Sequence, residues 1–158
     1  MVVDNDIIKI HGIVDSGPLV LPFINGTKVP AGFPSPAMDY MQDAIDLNKI
    51  LIKHPASTFL VEVEGDSMLE AFIANPALLI IDRAIQARSN DIILAVVNGE
   101  YTVKRLFKSG EKTILLPANP KYRPIEVKDG MEFQIWGCVA QIIIDPKKVK
   151  YAGPGRLQ

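Results

Sequence analysis

The sequence predicts a mostly β protein: a compact, antiparallel β-rich core with one short helix and an extended N-terminal arm. Three features lead there. From Thr58 onward, short apolar runs alternate with turn residues at the spacing of an all-β domain. Asn98-Gly99 stands between two of those runs, and both residues tolerate the positive φ that a two-residue hairpin turn demands. Only residues 39–53 carry apolar positions at helical spacing.

Along residues 1–37, Ile7, Ile8, Ile10, Ile13 and Val14 can form a short strand, and residues 19–24 a second apolar patch. Gly12, Gly17, Pro18, Pro22, Gly26, Pro30, Gly32, Pro34 and Pro36 surround them, a density of breakers that predicts an extended arm. A helix-turn-helix DNA reader needs several amphipathic helices, and this stretch has no room for them. In residues 39–53, Ile45, Leu47, Ile50, Leu51 and Ile52 give a broad apolar face, and Asp46 is placed to cap a short second half. His54-Pro55 ends the helix, because a residue before proline avoids helical torsions. Strands follow at 59–63, 78–81, 91–97, 101–107, 113–116, 125–127 and 133–144. The expected organisation is an arm over 1–37, a β-rich domain over 38–146, and a basic tail over 147–158 with Lys147, Lys148, Lys150 and Arg156.

Bulk properties narrow the function. The 158 residues suit one domain, and 48% apolar content is enough for a core. A net charge of -1 predicts no strong direct binding to DNA or to a membrane surface. The longest apolar run, Ala77-Leu78-Leu79-Ile80-Ile81, is far too short to span a bilayer, and Asp4, Asp6 and Asp15 spoil a signal peptide. One cysteine, Cys138, excludes an internal disulfide and fits a reducing compartment, so a cytoplasmic location is expected. His11 and His54 stand apart from carboxylates and from Cys138, so no metal site is expected. No glycine-rich phosphate loop is present, and no cofactor is expected.

Two residues can carry chemistry. Ser67, in Gly65-Asp66-Ser67-Met68, follows a β run at an abrupt turn. It can cap a short helix, or it can be a nucleophile with backbone N–H groups of the turn facing a developing oxyanion. Lys104, in Thr102-Val103-Lys104-Arg105-Leu106, shares a strand face with Thr102 and Leu106. It is either a solvated edge-strand lysine or, on a buried face, a base, since desolvation disfavours a charged ammonium. Serine and lysine can act as a pair without histidine or aspartate. Upstream, Val29, Phe33 and Ser35 each precede a proline and are biased to extended torsions. Ala31-Gly32 between them is either plain linker or a peptide bond that a nucleophile can approach closely. Trp136 and Cys138 read as packing residues.

Five segments in order, Ala-Gly-Phe-Pro-Ser-Pro-Ala (31–37), Ile-Asp-Leu-Asn (45–48), His-Pro-Ala-Ser-Thr (54–58), Gly-Asp-Ser-Met (65–68) and Glu-Tyr-Thr-Val-Lys-Arg-Leu (100–106), resemble the LexA/UmuD family of self-cleaving serine-lysine peptidases, and its UmuD-like members above all. The resemblance runs from about residue 20 to 145. It implies Ser67 as nucleophile, Lys104 as general base, the backbone N–H groups of Asp66 and Ser67 as oxyanion hole, and Ala31-Gly32 as the scissile bond. It further implies a β-rich fold, a homodimer, and activation by RecA–single-stranded-DNA filaments in the SOS response. The trimmed form is then expected to be an accessory subunit of a UmuC-like error-prone translesion polymerase. No N-terminal DNA-binding domain is recognisable, which argues against a repressor role. Two other readings stand beside it: a catalytically silent dimerisation and binding module with the same fold, and a peptidase acting on other proteins.

Overall fold

Val, Ile and Leu dominate the runs that the sequence marks as strands, and their branched side chains suit a pleated, half-buried surface. In the computed structural model, which describes residues 7–13, 17–24 and 41–148, each of those runs is a strand. They are β4 (Thr58–Glu64), β5 (Ala77–Asp82), β6 (Ile92–Val97), β7 (Glu100–Ser109), β8 (Lys112–Leu116), β9 (Ile125–Val127) and β10 (Phe133–Ile143). Ahead of them come β1 (Ile7–Gly12), β2 (Val20–Ile24) and β3 (Met41–Asp46).

The chain divides into two units, Met1–Ile13 with His54–Gln158, and Val14–Lys53. In the first, eight antiparallel strands run in the order β1-β4-β5-β10-β6-β7-β8-β9, so the last strand inserts between β5 and β6. Asn98 (φ 50) and Gly99 (φ 83) make the expected two-residue turn, with Val97 opposite Glu100. Successive residues of β6 face different cores, as pleating requires. Leu94 packs with Val61, Val63, Met68, Leu79, Ile81 and Val103, whereas Ile93 and Ala95 pack with Leu106, Leu115 and Cys138.

β1 lies on an edge of this sheet, with Ile8 opposite Val63 and Ile10 opposite Val61. Ile8 and Ile10 turn to the core while Ile7, Lys9 and His11 are exposed. β10 changes register between Ile135 and Gly137 and again between Val139 and Gln141. At Gly137 a Cβ would lie 2.6 Å from Ile81 Cγ2, 3.2 Å from Arg83 Cγ and 3.3 Å from Asp82 O. Glycine there allows β10 to lie against β5.

The second unit corrects the expected helix. Residues 39–53 are not one helix: Met41–Asp46 is strand β3, and only α1 (Leu47–Leu51) is helical. Pairing with β2 overrides the helical spacing, with Val20 opposite Asp46 and Leu21 opposite Ile45. Asp46 is the hinge of that change. Its torsions are extended (φ -79, ψ 106), and its Oδ1 accepts from Asn48 N at 3.1 Å and Leu19 N at 3.2 Å. The cap expected at Asp46 is therefore present. Ile52 is extended again, ahead of His54-Pro55.

Candidate active site

β4 ends at Glu64, and Gly65-Asp66-Ser67-Met68 turns the chain into a short 3-10 helix, Leu69–Ala71. Leu69 N donates to Asp66 O at 3.3 Å across the turn, and Met68, 2% exposed, roots it in the core. The residue capping the 3-10 helix is Met68, with no side-chain cap bond. The Ser67 hydroxyl is therefore not a helix cap. It is 1% exposed and lies 3.0 Å from Lys104 Nζ.

Lys104 is not on an edge. β7 runs between β6 and β8, with Lys104 opposite Ile93, and the residue is 1% exposed. Alternation puts Thr102 on the same face, and Nζ donates to Thr102 Oγ1 at 2.9 Å and to Val103 O at 2.9 Å. A neutral amine so held can give hydrogens to those two oxygens and turn its lone pair to the serine hydroxyl. An amine in that position can take the hydroxyl proton, and a serine so activated can attack a carbonyl.

The loop after β8 holds the serine turn from another side, through contacts that no local sequence pattern marks. Asn119 Nδ2 donates to Asp66 O at 2.8 Å, Tyr122 Oη donates to Asp66 Oδ1, and Ala118 N donates to Ser67 O at 2.9 Å. Asn119 and Tyr122 lie 53 and 56 positions from Asp66, too far for any local motif to link them. Thr102 had a signal, its place two residues before Lys104.

Other expected features fall as follows. Ala31 and Gly32 lie outside the described residues, as do Lys150 and Arg156. Lys147 N and Lys148 N bond Asp145. His54, which looks isolated in the sequence, meets a carboxylate: its Nδ1 is 2.6 Å from Asp82 Oδ2. Trp136 packs edge-on to Phe59 and Tyr101 with Arg83 over its ring. Burial pushes the Cys138 thiol pKa up, and the charges of Asp91 and Asp82 push it further. Among the described residues no group of three His, Cys, Asp or Glu could hold a metal ion, and no helix is long and apolar enough to cross a membrane.

A serine turn set against a buried lysine in an antiparallel sheet agrees with the wider kinship of the chain. Residues 22–140 match the Peptidase S24-like family, a span holding both Ser67 and Lys104, and the chain belongs to that family. Within it this is a UmuD-like protein. Protein SamA of Salmonella typhimurium strain LT2 is 42% identical over 116 residues, covering 73% of this chain and 80% of SamA. Protein ImpA of Escherichia coli is 40% identical over 121 residues, 72% of this chain and 77% of ImpA. Protein MucA of Escherichia coli is 32% identical over 119 residues, 75% of this chain and 81% of MucA.

Proposed function

We propose that this protein is a self-cleaving serine peptidase of the SOS response, cutting its own arm between Ala31 and Gly32. The observation that supports the reading best is the 3.0 Å contact between Ser67 Oγ and Lys104 Nζ, both side chains being buried. Lys104 Nζ takes the hydroxyl proton as Ser67 Oγ bonds to the Ala31 carbonyl carbon. The backbone N–H groups of Asp66 and Ser67 receive the oxyanion, each donor contributing about 3 kcal/mol of barrier lowering. The Ala31–Gly32 bond then breaks, the lysine ammonium gives its proton to the Gly32 nitrogen, and water hydrolyses the acyl group from Ser67. The products are residues 1–31 and 32–158.

In this reading residues 1–37 are the arm, 38–146 the peptidase and dimerisation domain, and 147–158 a tail. The protein works in the cytoplasm as a homodimer. A RecA–single-stranded-DNA filament stimulates the cut, and the trimmed form is an accessory subunit of a UmuC-like translesion polymerase. With a net charge of -1 it reaches damaged DNA through those proteins rather than through phosphate contacts. No cofactor takes part. The test is incubation of purified protein at alkaline pH followed by mass spectrometry. The expected product begins at Gly32, and an intact chain or a cut elsewhere would overturn the proposal.

A further inference from the structure

The loop between β8 and β9 does more to the serine turn than hold it in place. Backbone bonds already fasten the two: Ala118 N donates to Ser67 O at 2.9 Å, and Glu70 N donates to Ala118 O at 2.8 Å. The Asn119 side chain adds something different in kind. It is 7% exposed, and a buried amide is costly unless its polar atoms are paired. Its Oδ1 accepts from Lys121 N at 3.0 Å, which can only donate, so the other end of the amide is the donor. That donor, Nδ2, lies 2.8 Å from Asp66 O and 3.4 Å from Asp66 Oδ2. Tyr122 Oη donates to the remaining carboxylate oxygen, Asp66 Oδ1. Asp66 is thus gripped through its carbonyl and its side chain together.

Asp66 O and Ser67 N–H belong to one peptide plane. In a trans peptide they point in opposite directions, so whatever fixes the carbonyl fixes the N–H. The bond from Leu69 N to the same carbonyl is longer, at 3.3 Å, so Asn119 makes the closer contact. We propose that Asn119 is a positioning residue for the cleavage: by pinning the Asp66 carbonyl it aims the Ser67 N–H at the oxygen of the scissile carbonyl, and Tyr122 keeps Asp66 from turning. The proposal rests on the self-cleavage reading, because it assigns to Asn119 the alignment of that reaction's oxyanion donor.

The experiment uses the full-length protein with two readouts: first-order self-cleavage at alkaline pH, and labelling of Ser67 by a fluorophosphonate, whose phosphoryl oxygen needs the same donor. Asn119→Ala and Asn119→Asp, the latter keeping the shape but replacing the donor with an oxygen, should slow both readouts in parallel. The expected loss is on the order of 10- to 100-fold, below the roughly 10²–10³-fold loss on deleting an oxyanion donor outright. Tyr122→Phe should give a smaller loss in the same direction. The pH–rate profile should keep its shape, because the contacts of Lys104 are untouched, and the melting midpoint should stay within a few degrees of wild type. Wild-type rates in Asn119→Ala overturn the proposal. So does a loss that only follows the unfolded fraction and disappears on cooling, or one that shifts the pH profile. If the wild type labels at Ser67 without cutting itself, the self-cleavage reading falls, and labelling alone decides the role of Asn119. If the wild type does neither, both fall.

Discussion

Lys104 and Ser67 stand 37 positions apart, and their side chains meet at 3.0 Å with almost no exposure to water. One comes from a strand in the middle of the sheet and the other from the turn after β4. The contact exists only when β4 through β7 are assembled, so the proposed activity is also a report on the fold.

The first prediction concerns pH. An amine accepts a proton only when unprotonated, and each pH unit on the acid side of a base multiplies that form about tenfold. Purified protein without an activator should therefore cut itself faster as pH rises from about 7 toward 10, with a log rate slope near one at the acid end. The fraction cut is read by gel at several pH values. A flat profile would remove Lys104 from the role of base.

Charge and basicity can be separated at the same position. Arginine keeps a positive charge and stays protonated at any workable pH. Lys104→Arg and Ser67→Ala should both abolish the cut and leave folded protein by circular dichroism. A wild-type rate in Lys104→Arg would show that the lysine is not the base.

Gly137 tests the packing of β10 on β5. A methyl group there would stand 2.6 Å from Cγ2 of the fully buried Ile81 and 3.3 Å from the Asp82 carbonyl, so the side chain or a strand must shift. Gly137→Ala should cost roughly 1–3 kcal/mol in urea unfolding, the usual range for overpacking. An unchanged midpoint would mean that the two strands separate there at little cost.

Cys138 supplies a second pH dependence of opposite sense. Burial, then the charges of Asp91 and Asp82, raise its pKa, so the folded protein holds the thiol proton more tightly than the unfolded chain does. The stabilisation is complete below the unfolded value, about 8.5, and is lost as pH rises through the higher folded value. Between those two values, wild-type stability should fall more steeply with pH than that of Cys138→Ala. Native protein should also react with iodoacetamide at pH 8 more slowly than protein in urea, because the thiolate is the reactive form and the folded protein buries the thiol. Equal labelling would contradict the burial.

The proposed switch is tested by lesion bypass. A chain beginning at Gly32 should support bypass by a cognate polymerase, and uncleavable Ser67→Ala should do so much less well. Equal bypass by the two forms would refute the switch while leaving the peptidase chemistry intact.

Strand positions were largely legible in the sequence, because Val-, Ile- and Leu-rich runs between turn residues have few alternatives, and Asn98-Gly99 set its hairpin from two residues. The region around Met41–Asp46 was misread for a physical reason. Its apolar spacing suits a helix, and only the distant partner β2 selects the extended form. The same distance hid parts of the site. Thr102 was within reach of strand alternation, but Asn119, Tyr122 and the His54–Asp82 contact arise from the three-dimensional fold, where local pattern says nothing.

The edge strand β1 has its own consequence for the proposed cut. Residues 7–12 pair with β4 and place Ile8 and Ile10 against the core, yet they lie on the far side of the bond between Ala31 and Gly32. Breaking that bond converts an intramolecular strand into a bound peptide without dislodging it. Its departure becomes a dissociation, with a residence time set by the β1–β4 and β2–β3 ladders and a retained fraction that falls on dilution. Fragment 1–31 should therefore co-elute with 32–158 in concentrated samples and separate in dilute ones. Chemistry would then set when the arm can leave, and concentration would set whether it does.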